Sequence, residues 1–96
     1  MECLRISISK KALYRLNAQS AWYRENCGST FAKTMLENFE KTLEILRTMP
    51  TTGKKHHATD KHQYYAIMAH KKCMVIYRYS QTTLFVADIL FTDTIF

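Results

Sequence analysis

Glycine and proline are scarce in this chain, which has two glycines and one proline among 96 residues. A glycine-rich phosphate-binding loop needs several glycines close together, because the backbone must approach the phosphate closely. Long irregular loops and disordered tails are also usually rich in these two residue types. The sequence therefore predicts a compact chain whose regular elements are joined by short connections.

Two further absences concern location and redox state. The sequence has no run of about 18 consecutive apolar residues, and residues 1–5 lack the basic start and apolar run of a secretory signal. We therefore expect a cytoplasmic protein with no membrane contact. The three cysteines, Cys3, Cys27 and Cys73, are odd in number and form no Cys-x-x-Cys pair. This pattern favours reduced, buried thiols over disulfide bonds.

Positive charge is in surplus, with 14 lysines and arginines against 8 aspartates and glutamates and a net charge of +6. Such a surplus favours acidic partners, either nucleic acid or an acidic protein. A basic surface without any such partner is the simpler alternative. The length predicts a single domain over residues 1–96, large enough for one modest core.

The C-terminal third predicts three consecutive strands. Residues 62–70, 71–80 and 81–91 are rich in tyrosine, valine, isoleucine and phenylalanine and contain no proline. The joints between these runs are too short for a parallel crossover, so neighbouring strands must run antiparallel. Apolar residues occupy both parities in the last two runs. We therefore expect both faces of this meander to be at least partly covered.

The N-terminal part predicts a strand and a first helix. Residues 4–8 alternate between apolar and polar, as expected of a strand at one edge of the sheet. Ser7 or Ser9 can cap a helix over residues 10–26, because a side-chain oxygen there accepts a free N–H group of the first turn. The apolar face of this helix comprises Ala12, Leu13, Leu16 and Tyr23. Gln19 falls on its polar side.

The second helix has the clearest periodicity. Its apolar residues recur at spacings of four and three, at Ala32, Leu36, Phe39, Leu43 and Leu46. Gly28 can end the first helix in a left-handed conformation, and Ser29 can cap the second. Glu37 lies four residues before Lys41, in the order that favours an ion pair. Pro50 ends the helix.

Residues 49–61 are polar and turn-forming, and are long enough for a loop or a short edge strand. The complete order is then strand, helix, helix and three strands. This order predicts an α+β fold in which an N-terminal strand and a C-terminal three-stranded meander form an antiparallel-dominated sheet, with a helical hairpin packed on it.

The helix that ends in Leu-x-x-x-Pro-x-x-Gly at residues 46–53 is followed by Tyr64-Tyr65 and by Val75-Ile76-Tyr77-Arg78. Together with the order of elements, these motifs resemble the RelE/ParE superfamily, the toxins of bacterial type II toxin–antitoxin systems. The likeness runs over about residues 4 to 91. It implies a RelE/ParE-like fold, in which Tyr77 buries its ring and keeps its hydroxyl paired, and a cognate acidic antitoxin that wraps around the toxin in a hetero-oligomer.

The resemblance leads to two branches with different chemistry. ParE-like toxins inhibit DNA gyrase by binding it, whereas RelE-like toxins cleave messenger RNA on the ribosome with arginines and lysines of the sheet and the C-terminal end. This chain has no lysine, arginine or histidine after Arg78, and has Cys73-Met74-Val75 where the cleaving branch places a basic residue. We therefore favour a ParE-like binding toxin without a cofactor. The alternatives are a ribosome-dependent mRNA endonuclease and an inactive or helper relative.

The strongest candidate for a site is the stretch from residue 54 to residue 72. It holds all four histidines and five of the fourteen lysines and arginines, with Asp60 as its one acidic residue. The candidate binding residues are Lys54, Lys55, His56, His57, Lys61, Lys71 and Lys72. They suit a phosphate backbone, an acidic antitoxin segment or an acidic patch on a target, or they form a solvated loop and hairpin tip. For an endonuclease, the candidate catalytic residues are His62, His70 and Arg78.

Two other candidates depend on how neighbouring side chains point. Adjacent histidines such as His56 and His57 point apart in a regular strand, and no His-x-x-x-His or Cys-x-x-Cys spacing fixes a tetrahedron, so we predict no metal site. Trp22 and Tyr23 near the end of the first helix belong either to the core or to a patch that contacts another protein.

Overall fold

A computed structural model describes residues 3–91; Met1, Glu2 and the tail 92–96, which includes Asp93, lie outside the described residues. In chain order the elements are β1 (Arg5–Ile8), α1 (Lys10–Asn26), α2 (Ser29–Thr48), β2 (Lys54–Ala58), β3 (Gln63–His70), β4 (Cys73–Tyr79) and β5 (Thr83–Phe91). A short 3-10 helix at Pro50–Thr52 separates α2 from β2. The predicted order is confirmed, and the segment 49–61 contains an edge strand.

All five strands form one sheet in the order β1-β5-β4-β3-β2. β1 runs parallel to β5, with Arg5 opposite Thr83 and Ile8 opposite Val86. The other three pairs are antiparallel, which confirms the predicted meander. The edges of the sheet are therefore β1, from the start of the chain, and β2, which follows the helices.

Both helices pack on one face of the sheet, here called the core face; the opposite face is the open face. The core residues from the sheet include Cys73, Val75, Tyr77, Leu84, Val86 and Ile89. Those from the helices include Ala12, Leu16, Tyr23, Ala32, Met35, Phe39, Leu43 and Leu46. None of the helices within residues 3–91 is both long and apolar enough to cross a membrane.

The start of α1 follows the prediction, and the start of α2 does not. The Ser9 hydroxyl oxygen accepts the Ala12 N–H at 3.0 Å, and its O–H donates to the Ala87 carbonyl at 2.8 Å. The cap of α2 is Gly28, which adopts a φ of 92°, and Ser29 is already the first helical residue. The prediction that Ser29 caps α2 is wrong, because the positive φ that turns the chain lies immediately before it.

The buried stripe of α1 is rotated from the predicted one. Leu13 is 46% exposed, whereas Gln19, predicted on the polar side, is buried. The reason is that α1 must touch both α2 and β5, so its contact positions shift toward the side that carries Gln19. On α2, Glu37 and Lys41 form no ion pair with each other, contrary to their spacing.

All three cysteines are free thiols, but only Cys73 is buried; Cys3 and Cys27 are exposed. The prediction of buried thiols is therefore wrong for two of the three. They lie outside the core because Cys3 precedes β1 and Cys27 follows α1. Burial raises the pKa of the Cys73 thiol to about 12.

Tyr77 anchors the connection between α2 and β2, as the resemblance implies. Its ring is fully buried, its hydroxyl donates to the Pro50 carbonyl at 2.7 Å, and its oxygen accepts the Gly53 N–H at 3.0 Å. A Cβ atom at Gly53 would lie 2.9 Å from the Ala66 carbonyl oxygen and would overlap the Tyr77 hydroxyl. Glycine is therefore required here by close approach, and this contact sets where β2 begins.

Candidate binding surfaces

A row of four side chains crosses the centre of the open face. Tyr65 on β3 lies opposite Tyr77 on β4, and both belong to the core side. Continuing this register by one residue places Tyr64 opposite Arg78 on the open face. His57 on β2 is paired with Tyr64, and Phe85 on β5 is paired with Arg78. We call His57, Tyr64, Arg78 and Phe85 the stacked row.

The members of the stacked row are in contact as two pairs. The rings of His57 and Tyr64 are nearly parallel, with centroids 4.5 Å apart and an angle of 11° between them. The central carbon of the Arg78 guanidinium lies 4.0 Å from the Phe85 ring centroid. A cation held over an aromatic ring is stabilised by the ring quadrupole. The row therefore presents flat, partly exposed surfaces that suit stacking and cation contacts.

A bulge in β2 changes the direction of His56. The pairing with β3 shifts between Lys55 and His57, which leaves His56 as an extra residue. As a result, the Nδ1 atoms of His56 and His57 approach to 2.7 Å. The prediction that these neighbours point apart is wrong, because the bulge interrupts the alternation of a regular strand. One ring donates and the other accepts in this contact.

The two histidines line a small pocket on the open face. Its volume is about 300 Å³, and its other polar residues are Lys11, Tyr64 and Asp88. Asp88 accepts from Arg15 at 3.0 Å and lies 3.4 Å from the Lys11 ammonium, so it ties α1 to β5. Acidic, basic and titratable groups therefore meet here. Within residues 3–91, however, no three histidine, cysteine or acidic side chains are close enough together to hold a metal ion.

The rest of the open face is mainly apolar. Ala66, Met68, Met74 and Ile76 of β3 and β4 occupy the positions that alternate with core residues, and Met68 is 52% exposed. Ile76 is buried even though it belongs to this face. The prediction that both faces are partly covered is confirmed for the core face, where the helices pack. On the open face Ile76 is buried among its neighbours, but Met68 is exposed.

The predicted basic cluster is divided between the two ends of β3. Lys61 and His62 lie in the turn before this strand, while Lys71 and Lys72 lie in the turn after it. An eight-residue strand separates the two groups, a distance of roughly 25 Å. The sequence could not show this, because nearness along the chain is lost when an extended strand intervenes. Lys54, Lys55, His56 and His57 lie together on the fully exposed strand β2, and we call these four the basic edge. Lys61 and His62 lie in the turn that follows it, whereas Lys71 and Lys72 are at the far end of β3.

The two predicted catalytic histidines are also separated. His70 packs edge-on against the Phe31 ring at 5.4 Å, toward the helices. Its Nδ1 atom is buried and makes no hydrogen bond to any residue within 3–91. His62 lies in an exposed turn near Tyr64. They cannot act as an acid/base pair, and of the predicted catalytic residues only Arg78 lies in the stacked row.

Tyr23 is fully buried, with its ring 4.9 Å from that of Phe31. It is a core residue, so the predicted role in contacting another protein is wrong for this side chain. Trp22 is half-buried against the same cluster. A contact role for Trp22 stays a prediction.

Comparison with known proteins gives a family. A model of the ParE toxin of the type II toxin–antitoxin system parDE matches residues 6–95. The chain belongs to the ParE toxin family. It is thus a toxin of the type II toxin–antitoxin class. Comparison with curated protein sequences gives no significant match.

Two solved structures share the fold of this ParE-family toxin. One is from the chromosomal ParDE TA system of P. aeruginosa, with a TM-score of 0.74 and 12% identity over 95% of this chain and 98% of that chain. The other is the YoeB dimer from Staphylococcus aureus, with a TM-score of 0.62 and 15% identity over 92% of this chain and 95% of that chain. At these identities the likeness concerns the fold, which is RelE/ParE-like.

The ParE-family toxin has a second surface, on the side of the helices, whose lining residues the sequence did not identify. A groove of about 780 Å³ runs between β1 and α2, and Ile6, Leu43 and Ile45 form its apolar part. Its polar residues are Glu37, Glu40, Lys41 and Glu44. The available signal was Ile45, an apolar residue outside the buried stripe of α2, together with three glutamates at helical spacing. The sequence alone could not show that β1 lies beside them.

Proposed function

We propose that this ParE-family toxin acts by binding an essential bacterial protein, DNA gyrase being the target that the family resemblance implies, and that a cognate antitoxin neutralises it. The observation that carries the proposal is the composition of the open face. Aromatic side chains and one arginine form its centre, apolar residues extend it, and the basic edge borders it.

This composition suits a protein partner. Tyrosine and arginine are enriched among the residues that dominate binding energy, especially where they are surrounded by contacts that exclude water. Tyr64 and Arg78 lie on the open face beside Ala66 and Ile76, and Met68 and Met74 are the next pair along the strands, where they provide adaptable apolar surface. The basic edge favours an acidic partner surface and speeds the encounter with it.

Phosphodiester cleavage makes different demands. The pentavalent phosphate needs several preorganised cations around it. Arg78 is the one lysine or arginine in β3, β4 and β5, and its guanidinium already lies over the Phe85 ring. These features favour binding over turnover.

The test is inhibition of DNA supercoiling by purified gyrase. We expect the double variant Tyr64→Ala/Arg78→Ala to raise the toxin concentration needed for half-inhibition by at least about tenfold, since hot-spot truncations cost about 2 kcal/mol or more. The control is Leu13→Ala, on the outer surface of α1, which should inhibit like the parent chain. Equal inhibition by the double variant and the control, with both folded by circular dichroism, would refute binding through the open face.

The basic edge provides a second measurement on the same surface. Lys54→Ala/Lys55→Ala should slow association with the target at low salt, because long-range attraction is lost. The salt dependence of association should flatten accordingly. An unchanged salt dependence would remove the basic edge from the binding surface.

A second candidate function is ribosome-dependent cleavage of messenger RNA, and the paired histidines favour it. The His56 and His57 rings are hydrogen-bonded to each other beside Lys11 and Tyr64 in a pocket that is open to solvent, and imidazole is the side chain best suited to proton transfer near neutral pH. Primer extension on a cell-free translation reaction tests it. Codon-phased cuts that require ribosomes and are lost in His57→Gln would replace gyrase binding with cleavage.

A chain that does not arrest growth and inhibits neither DNA supercoiling nor translation would be an inactive or helper relative. Growth of bacteria that express the chain alone, compared with bacteria that carry the empty vector, decides whether that third alternative applies.

A further inference from the structure

Two methionines lie opposite each other on the apolar part of the open face. Met68 on β3 is paired with Met74 on β4, and Met74 is paired in turn with Leu90 on β5. We propose that Met68 and Met74 form an oxidation-sensitive modification site: a peroxide converts them to sulfoxides, and the open face then loses affinity for the target. The inference rests on the proposed function, because it concerns how binding through the open face is controlled.

The exposure of each methionine decides whether a small oxidant reaches it. Met68 is 52% exposed, and Met74 is half-buried beside it. Both line a hollow of about 320 Å³ at the start of β2, which is far larger than the roughly 30 Å³ that one water molecule occupies in the liquid. Met35 is fully buried and is reached only when the fold opens. Met49 is exposed, but it lies at the end of α2, outside the sheet.

The reaction is an oxygen transfer from the peroxide to a thioether. The sulfur lone pair attacks one oxygen of hydrogen peroxide, so that an S–O bond forms as the O–O bond breaks. The departing hydroxide takes the proton of the transferred oxygen and leaves as water. Sulfur is oxidised by two electrons and the peroxide is reduced by two. A flexible apolar side chain thereby becomes a polar sulfoxide.

This change falls where the open face is most apolar. The next pair along the two strands is Ala66 and Ile76, and Leu90 flanks Met74 on the other side. Methionine suits a binding surface of this kind because its flexible thioether adapts to the shape of a partner. A sulfoxide oxygen that is buried against the partner costs free energy unless it finds a hydrogen-bond donor. Oxidation of the pair therefore weakens binding.

The fold itself tolerates the modification. Met68 and Met74 lie outside the core cluster that the described residues form on the other face of the sheet. In the free toxin, water reaches a sulfoxide oxygen on Met68, and the Lys54 side chain in the same hollow is an additional donor. The site can therefore be oxidised without unfolding, and methionine sulfoxide reductases can restore it. Oxidation of Met35 would place a polar oxygen inside the core.

The first measurement maps the oxidation of the purified full-length toxin by hydrogen peroxide. Trypsin, which cleaves after lysine and arginine, separates the described methionines into peptides 34–41, 48–54, 62–71 and 73–78, which hold Met35, Met49, Met68 and Met74. Mass spectrometry of these peptides gives one rate for each methionine. We expect Met68 to react at least about tenfold faster than Met35, with Met74 between them. Equal rates for Met68 and Met35 would overturn the proposal.

The second measurement connects oxidation to binding. Leucine has nearly the volume of methionine and no sulfur to oxidise, so Met68→Leu/Met74→Leu is the resistant variant. The matched control is Met49→Leu, which removes an exposed methionine outside the sheet. Each protein is compared with its own untreated sample in the gyrase supercoiling assay. Because all three share the exposed Cys3 and Cys27, thiol oxidation affects them equally.

Oxidation should raise the half-inhibitory concentration of the parent and of Met49→Leu by at least about tenfold, since two sulfoxides enter the interface. The resistant variant should change by less than about twofold, because it has no sulfur at either position. Methionine sulfoxide reductases should return the oxidised parent to its original activity. The proposal is overturned if oxidation weakens the resistant variant as much as the parent.

Hydrophobic-interaction chromatography separates failure of this inference from failure of the proposed function, because it needs no target. The oxidised parent should elute earlier than the untreated protein, and the resistant variant should not. Earlier elution without loss of inhibition overturns the control of binding and keeps gyrase as the target. A parent that never inhibits gyrase refutes the proposed function. The modification site is then supported by an earlier elution that the resistant variant lacks, and is overturned if both proteins shift equally.

Discussion

The two faces of the sheet use the same strands for different purposes. On β3 and β4, Tyr65 and Tyr77 pack with the core, and the residues next to them, Tyr64 and Arg78, lie on the open face. The first pair is constrained by packing, while the second is constrained by little besides its own stacking partners. Side chains on the open face can therefore be substituted without loss of the fold, whereas side chains on the core face cannot.

Cys73 tests how strictly the core face excludes solvent. Its burial predicts reaction with a thiol reagent at least about a hundredfold slower than that of exposed Cys27, because the reagent must wait for the sheet to open. Labelling followed by mass spectrometry of peptides measures both rates in one sample, with Cys3 as a second exposed control. Equal rates for Cys73 and Cys27 would show that the core face opens freely.

The raised pKa of Cys73 adds a pH dependence of known sign. The folded thiol, with a pKa of about 12, keeps its proton where the unfolded thiol, near 9, has lost it. The stabilising contribution is therefore complete below about pH 9 and is lost as the pH rises toward 12. Urea unfolding of the parent chain and of Cys73→Ala should show a steeper fall for the parent over this interval.

Neighbouring residues on α2 provide the sharpest contrast in stability. Leu46 is fully buried and Ile45 is half-exposed, so Leu46→Ala should lower the free energy of unfolding by about 2 to 5 kcal/mol. Ile45→Ala should lower it by less than about 1 kcal/mol, because about half of the Ile45 side chain is already exposed to water in the folded state. Denaturant titration of the two variants compares them directly. Similar losses would contradict the assignment of Ile45 to an open groove.

Tyrosine hydroxyls on the two faces give a smaller contrast. Tyr77→Phe leaves the Gly53 N–H and the Pro50 carbonyl without their partner, which should cost about 1 to 3 kcal/mol. Tyr64→Phe keeps its ring over His57 and should cost less than about 0.5 kcal/mol. Thermal unfolding monitored by circular dichroism ranks them. A Tyr77→Phe variant as stable as Tyr64→Phe would mean that the Tyr77 hydroxyl contributes nothing to holding the start of β2.

A small loss of stability is expected for a substitution at Asp88, which links α1 to the sheet. Asp88→Asn keeps the shape of the side chain and removes its charge, so the contacts to Arg15 and Lys11 weaken. The loss should be about 0.5 to 1 kcal/mol, because these groups are only partly buried. It should shrink in the background of Arg15→Gln, since the two residues share the interaction. Strict additivity of the two substitutions would rule out the ion pair as the link between α1 and β5.

Local patterns made much of this fold predictable. The four-and-three spacing of α2 and the short joints of the meander determine periodicity and direction without information from distant residues, and both predictions are confirmed. Ser9 was also foreseeable, since a cap depends on the next turn only. The first strand was placed at an edge, but its parallel pairing with β5 depends on residues almost a full chain length away.

The candidate sites were harder to predict because they depend on irregular or long-range geometry. No sequence signal marked the bulge that turns His56 toward His57. Helical periodicity placed Gln19 outside, and only the joint packing of α1 on α2 and β5 places it inside. The residues that line the groove could not be identified for the same reason, since Ile6 and Ile45 line one hollow only after β1 has joined the sheet.

The pairing of β1 with β5 also has a consequence for synthesis. The ribosome releases the chain from its N-terminus, so the first strand and both helices emerge well before the strand that holds β1 in place. Until β5 has emerged, the sheet has no position for β1, and the groove beside α2 lacks one of its sides. The groove and the complete five-stranded sheet therefore form together, only after β5 has been synthesised.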